Sequence, residues 1–167
     1  HKSENYIILE AAWGTEKDSP DYLKAHLPGA IHLNTDEIEE PEYWNIRNAE
    51  EITAVMSKYG ITKDTTVIVY GPDSGTERVA FVMLWAGVEN VKVLDGGLAA
   101  WTEAGYETEE GNILPTATTE EFGVQIPAHP EYVIAMPKDA REAMKANDKF
   151  RLVSIRSLDE FTGKISG

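Results

Sequence analysis

Hydrophobic and polar positions along the chain fall into short blocks divided by turn residues. Tyr6-Ile-Ile-Leu9 is a brief apolar run rich in β-formers and reads as a buried strand. A polar stretch from Thr15 to Asp21 follows, punctuated by Pro20. The turn pair Pro28-Gly29 then precedes a second short strand, Ala30-Ile-His-Leu33, and residues 36–48 are acidic and irregular. From Ala49 to Tyr59 the period changes. Ile52, Val55, Met56 and Tyr59 recur on one helical face, Asn48 and Glu51 have the spacing of a capping box, and Gly60 closes the element. Val67-Ile-Val-Tyr70 is near-continuously apolar, as in a strand buried on both faces. A loop from Gly71 to Glu77 leads to a helix from Arg78 to Ala86, stopped by Gly87. Val91-Lys-Val-Leu94 is the next strand. Asp95-Gly96-Gly97 opens a helix from Leu98 to Ala104, with Asp95 expected as its cap.

Strand and helix alternate with short connections, which predicts an α/β fold with an open, mostly parallel sheet flanked by helices. Residues 106–135 lose this rhythm. Acids cluster from Glu107 to Glu110, and Pro115, Pro127 and Pro130 recur, as in an interdomain linker wrapped along the first domain. Pro137 suits the first turn of a new helix reaching Ala146, and Leu152-Val-Ser-Ile155 reads as a strand after it. The expected organisation is a domain at 1–106, a linker at 107–135, and the first elements of a second domain at 136–167, the whole being a fragment of a longer protein.

Composition narrows the chemistry. An apolar share of 42% in 167 residues supports a proper core and excludes a disordered chain. Fifteen basic against 29 acidic residues give a formal charge of −14, which disfavours nucleic acid and anionic membranes as partners. No apolar stretch approaches the roughly 18 residues of a membrane span. Cysteine is absent, so disulfides, thiolate metal sites and a cysteine nucleophile are excluded within these residues. The four histidines do not cluster at ligand spacing and no thiolates exist, so no metal is expected; no cofactor is expected either.

Three segments then carry a family resemblance. They are Tyr22-Leu-Lys-Ala-His26-Leu-Pro28-Gly29-Ala30; Val67-Ile-Val-Tyr70 with its glycine-containing loop and Arg78; and Leu94-Asp95-Gly96-Gly97-Leu-Ala-Ala-Trp101. In this order and spacing the chain resembles the rhodanese sulfurtransferase domain. Leu9-Glu10-Ala-Ala-Trp13 and Asp36-Glu37-Ile38 resemble tandem rhodaneses of the thiosulfate and mercaptopyruvate type. The tail from Leu152 to Gly163 looks like the entry motif of a further rhodanese domain, with Ser154 where that motif usually has Asp. Together with Phe122-Gly123-Val124 it most resembles the junction between the middle and last domains of an exported three-domain rhodanese protein.

The resemblance implies a cysteine persulfide chemistry that this chain cannot perform. The family's nucleophile opens a loop between a strand and a helix, where backbone amides favour a thiolate and an anionic substrate. Here that loop reads Gly71, Pro72, Asp73, Ser74, Gly75, Thr76, Glu77, Arg78. Counted back from Arg78, the nucleophile position falls on Asp73; counted on from Tyr70, it falls on Gly71. Neither has a sulfur atom, and Asp73 and Glu77 repel an anion.

The resemblance therefore implies a domain that is structural and catalytically inactive, in a thiosulfate:cyanide-type sulfurtransferase whose cysteine lies beyond Gly167. Its partners are the remaining domains of the same polypeptide and, for the parent, a thiosulfate-like anion. Its location is periplasmic or exported, with the cytoplasm still open. The competing reading is a non-catalytic rhodanese-like binding or regulatory module.

Other residues have a plainer reading beside the chemical one. His26 is expected as a structural hydrogen-bonder, His32 as partly buried or at an edge, and Trp101 as a core anchor. No Gly-x-Ser-x-Gly elbow surrounds Ser74. Arg78 either binds an anion at a domain interface or pairs with Asp73, Glu77 or another carboxylate. The resemblance implies that Arg156 and Glu160 pair structurally or line the entrance to the last domain's site, the structural role being favoured. Tyr43 and Trp44 serve an interface or a local satellite core.

Overall fold

A computed structural model describes residues 5–134 and 137–165. These belong to two compact units, residues 1–130 and 131–167. The first unit holds four strands, β1 (Tyr6–Ala12), β2 (Ile31–Asn34), β3 (Thr66–Tyr70) and β4 (Asn90–Val93), all parallel, in the order β2-β1-β3-β4. The intervening helices are α1 (Pro20–Lys24), α2 (Ala49–Lys58) and α3 (Gly75–Ala86), and α4 (Gly97–Glu103) follows β4. The mostly parallel α/β sheet predicted from alternation is present. The short helix α1 was not, because five residues are too few to show a period.

The period of two divides the sheet into faces of unequal depth. Leu9, Ala11, Val67 and Val69 join Ile52 and Met56 of α2 and Val79 and Met83 of α3 in one large buried cluster. Tyr70 joins Leu27 and Ala30 in a smaller cluster, packed on by Ile8, Leu94, Leu98 and Trp101. Trp101 is thus half-buried on the lesser face, its indole N–H donating to Glu107 O at 2.7 Å. The strand order reverses direction between β1 and β3, so a crevice opens at their carboxyl ends.

Local chemistry explains the element ends. Asn48 accepts the amide of Glu51 at 3.0 Å while Glu51 accepts that of Asn48 at 3.2 Å, completing the predicted capping box of α2. Helix α3 begins three residues earlier than expected, because Arg78 N–H already donates to Ser74 O at 3.1 Å. Asp95 is not the cap of α4. Gly96 holds that position at φ 74° with no side-chain capping bond, and Gly97 N–H closes the turn on Leu94 O.

The compact unit runs well past Tyr106. His26 and Glu109 exchange backbone bonds at 2.9 Å, Gly111 N–H reaches Leu23 O, and Lys63 N–H reaches Phe122 O. Phe122 and Ile126 are 8% and 7% exposed and sit in the main cluster. The segment expected as a linker supplies core to the first domain as far as Ile126.

The second unit contains α5 (Pro137–Ala146) and α6 (Leu158–Phe161). Helix α5 has the expected span. The expected strand at Leu152–Ile155 does not form: Leu152, Val153 and Ile155 are 73%, 76% and 99% exposed. A strand satisfies its backbone only beside another strand, and no strand lies among the described residues of this unit.

Candidate functional site

The site is assembled at the carboxyl end of β3. Of the expected loop Gly71–Arg78, only residues 71–74 lie outside the helix; Gly75, Thr76, Glu77 and Arg78 form its first turn. Gly71 touches the end of β1: a Cβ added to it would stand 2.1 Å from Ala11 O. Asp73 folds back over the helix start, its Oδ1 accepting Gly75 N–H at 2.8 Å. A helix N-terminus favours negative charge. Here the chain's own carboxylate occupies it, and Glu77 adds a second charge in the same turn. Ser74 is the N-cap residue, but its side chain makes no capping bond. Pro72 supplies no amide to the loop.

Arg78 turns away from both neighbouring acids. Its Nε donates to Glu39 Oε2 at 2.8 Å, and its Nη2 donates to Trp44 O. Glu39 is only 7% exposed, so the pair anchors the loop after β2 to α3. In that loop Glu40 accepts the amides of Glu42 and Tyr43 at 2.9 Å each. Tyr43 and Trp44 project outward, 70% and 54% exposed, so they build no satellite core. Trp44 takes φ 59°, a left-handed conformation that is costly for an aromatic residue.

His26 and His32 are held by hydrogen bonds inside the fold. His26 is fully buried, stacked on Tyr22 at 4.5 Å, with Nδ1 2.9 Å from Leu27 O and Nε2 3.1 Å from Gly111 O. His32 stands opposite Glu10 across the β1–β2 ladder, and its Nδ1 lies 2.6 Å from Glu10 Oε2. Its Nε2 lies 2.9 Å from Gly14 O. This buried pair was missed in the sequence. Its signal was an acid inside an apolar strand, and a histidine at the matching position of the next.

Burial alone would lower the pKa of His32. The hydrogen bonds to Glu10 and to Gly14 O outweigh it and raise the pKa above the ordinary 6.5. The folded state therefore favours the charged ring. Its stabilisation is complete below pH 6.5 and is lost as pH rises through the raised value. Urea midpoints at pH 6 and pH 8.5 should fall further for the native chain than for His32→Gln. Equal falls would show that the pair contributes nothing to the pH dependence.

In the second unit Glu160 caps its own helix. Its Oε2 accepts Ser157 N–H at 2.9 Å and Ser157 Oγ–H at 2.6 Å, and these bonds hold its carboxyl below the usual range. Arg156 makes no ion pair with it; the Arg156 amide donates to Ser154 Oγ at 3.4 Å. Among the described residues, no group of three His, Asp or Glu side chains could hold a metal ion.

A family model described as "Rhodanese-like domain" matches residues 4–104. The chain is 44% identical over 164 residues to "Thiosulfate sulfurtransferase YnjE" of Escherichia coli strain K12, covering 98% of this chain and 37% of that protein. The crystal structure of YnjE superposes with a TM-score of 0.87 at 40% identity, over 98% of this chain and 39% of that one. An anaerobic ergothioneine biosynthesis enzyme from Chlorobium limicola, crystallised with trimethyl histidine, matches with a TM-score of 0.87 at 35% identity. That match covers 99% of this chain and 41% of the enzyme. The chain thus spans about two fifths of the length of these relatives.

Proposed function

The chain belongs to the rhodanese-like domain family, and from that premise we propose that it is the non-transferring part of a longer thiosulfate sulfurtransferase. In this reading the parent carries a cysteine outside these residues. Its thiolate attacks the sulfane sulfur of thiosulfate, the sulfur–sulfur bond breaks, sulfite leaves, and a persulfide remains. A thiophile such as cyanide then takes that sulfur, leaving as thiocyanate and restoring the thiolate. The domain described above scaffolds that site, and the parent works in an exported or periplasmic setting.

One observation carries the inactivity of this domain: Asp73 Oδ1, and no sulfur, sits on the Gly75 amide at the start of α3. A thiosulfate dianion brought there meets the Asp73 and Glu77 carboxylates and finds the Arg78 guanidinium committed to Glu39. The relatives' greater length supports a cysteine elsewhere in the polypeptide.

The test is thiocyanate formation from thiosulfate and cyanide. The 167-residue chain should give none above a buffer blank, and Asp73→Cys, which keeps Glu77 and the Arg78–Glu39 pair, should not turn over efficiently. The full parent should turn over and lose activity on alkylation. Efficient turnover by Asp73→Cys would show an intact cradle. A parent without cysteine would favour the second reading, a rhodanese-like binding module. The ordered, outward-facing Tyr43–Trp44 loop supports that alternative.

A further inference from the structure

Beside the loop, a cavity of about 480 Å³ opens at the carboxyl ends of β1 and β3, on the side of the smaller cluster. Its size suits a small molecule. Every charged residue lining it is acidic: Glu10, Asp18 and Asp21. Glu10 is the informative one. Its side chain is 9% exposed, and Oε2 is taken by His32. Oε1 has no hydrogen-bond partner among the described residues and belongs to a residue of the cavity wall. That oxygen is reachable by solvent, so it stays open to a donor that enters the cavity.

Tyr70 adds a second polar group. It is 2% exposed, and its hydroxyl oxygen accepts the Leu27 amide at 3.2 Å. Asp18 is pinned by the Thr15 hydroxyl and amide, which hold its carboxyl below the usual range and keep it charged.

We propose that this cavity binds a small organic cation whose ammonium or guanidinium head donates to Glu10 Oε1. Recognition works through N–H donors rather than an aromatic cage, because the Tyr22 ring is already stacked on His26 and tilted against His32. The polarity is the reverse of what a thiosulfate site requires. The inference does not depend on where the parent keeps a cysteine.

The test is an amide NMR titration of the full chain with agmatine, which carries both head groups. Tetramethylammonium serves as a cation without donors, and thiosulfate as an anion. Agmatine should give saturable shifts centred on Glu10, Tyr70, Gly71 and Gly97. Glu10→Gln should weaken it about tenfold or more. Ala99→Trp fills the cavity from an exposed wall position, leaves the Glu10–His32 pair in place, and should abolish binding.

The proposal is overturned by no saturable shifts with agmatine, by equal shifts with tetramethylammonium, or by agmatine shifts that survive both variants. The last two would mean diffuse attraction to a chain of charge −14. Tighter binding of thiosulfate would restore the family's polarity. Tighter binding of an arginine-bearing peptide would move the ligand from a free metabolite to a partner protein, and so also defeat the assignment.

Discussion

Gly71→Ala should destabilise the domain by about 3 kcal/mol, the upper part of the range for overpacking a closed interior site. The added Cβ would stand 2.1 Å from Ala11 O, a backbone atom, and 2.8 Å from Thr76 Oγ1. The hydroxyl can rotate away, but the carbonyl cannot. It belongs to β1, which is paired to β3 from Tyr6–Thr66 through Glu10–Tyr70, immediately before the contact. Relief requires the two central strands to part at their carboxyl ends, where Glu10 and His32 are also locked together.

Gly75→Ala is the control. Its Cβ would meet Asp73 Oδ1 at 2.9 Å and Thr35 Cγ2 at 3.1 Å, both side-chain atoms, and alanine is the better helix former. Urea unfolding should separate the two variants clearly. A loss below about 0.5 kcal/mol for Gly71→Ala, within the spread of ordinary surface changes, would mean that the strands part easily. The same clash awaits Gly71→Cys. Sulfur chemistry therefore cannot be installed at this position without first reopening the sheet.

What the sequence disclosed and what it hid follow from the range of the interactions concerned. The capping box at Asn48 and Glu51 spans three residues and was legible with its partners. So were the apolar runs that became β1 and β3, because burial leaves a dense signal, and the shorter, more exposed run that became β4. The Leu152–Ile155 run carries that same signal and forms no strand. Apolar composition is local, whereas a ladder partner is not. Arg78 illustrates the same limit at the site. Two acids lie within five residues of it, yet it pairs with Glu39, 39 positions away. The absence of sulfur was plain from composition. That the Asp73 carboxylate accepts the Gly75 amide was not legible, since the count from either end of the loop gave a different residue.

Phe122→Ala should cost about 3–5 kcal/mol, the usual range for emptying an aromatic core position. That is a large effect for a residue in a stretch without periodicity. Phe122 is 8% exposed within the main cluster, and its own carbonyl accepts Lys63 N–H at 2.8 Å. The segment also covers the end of α3. Gly87 caps that helix at φ 117°, and a Cβ there would meet Ala128 Cβ at 2.7 Å and Val124 Cγ2 at 2.9 Å. The fit is close enough that only glycine satisfies both the backbone angle and the strap lying over it. Ile126→Ala should add a smaller loss, because its neighbours close part of the gap. A chain cut after Tyr106 loses both anchors together, and it should show weaker amide protection in α3 than in β1 and β3. If Phe122→Ala cost under about 1 kcal/mol, no more than an average point mutation, residues 107–130 would be a linker resting on a finished domain. At the expected value they are the last part of its core, and the folding unit extends beyond the residues matched by the family model.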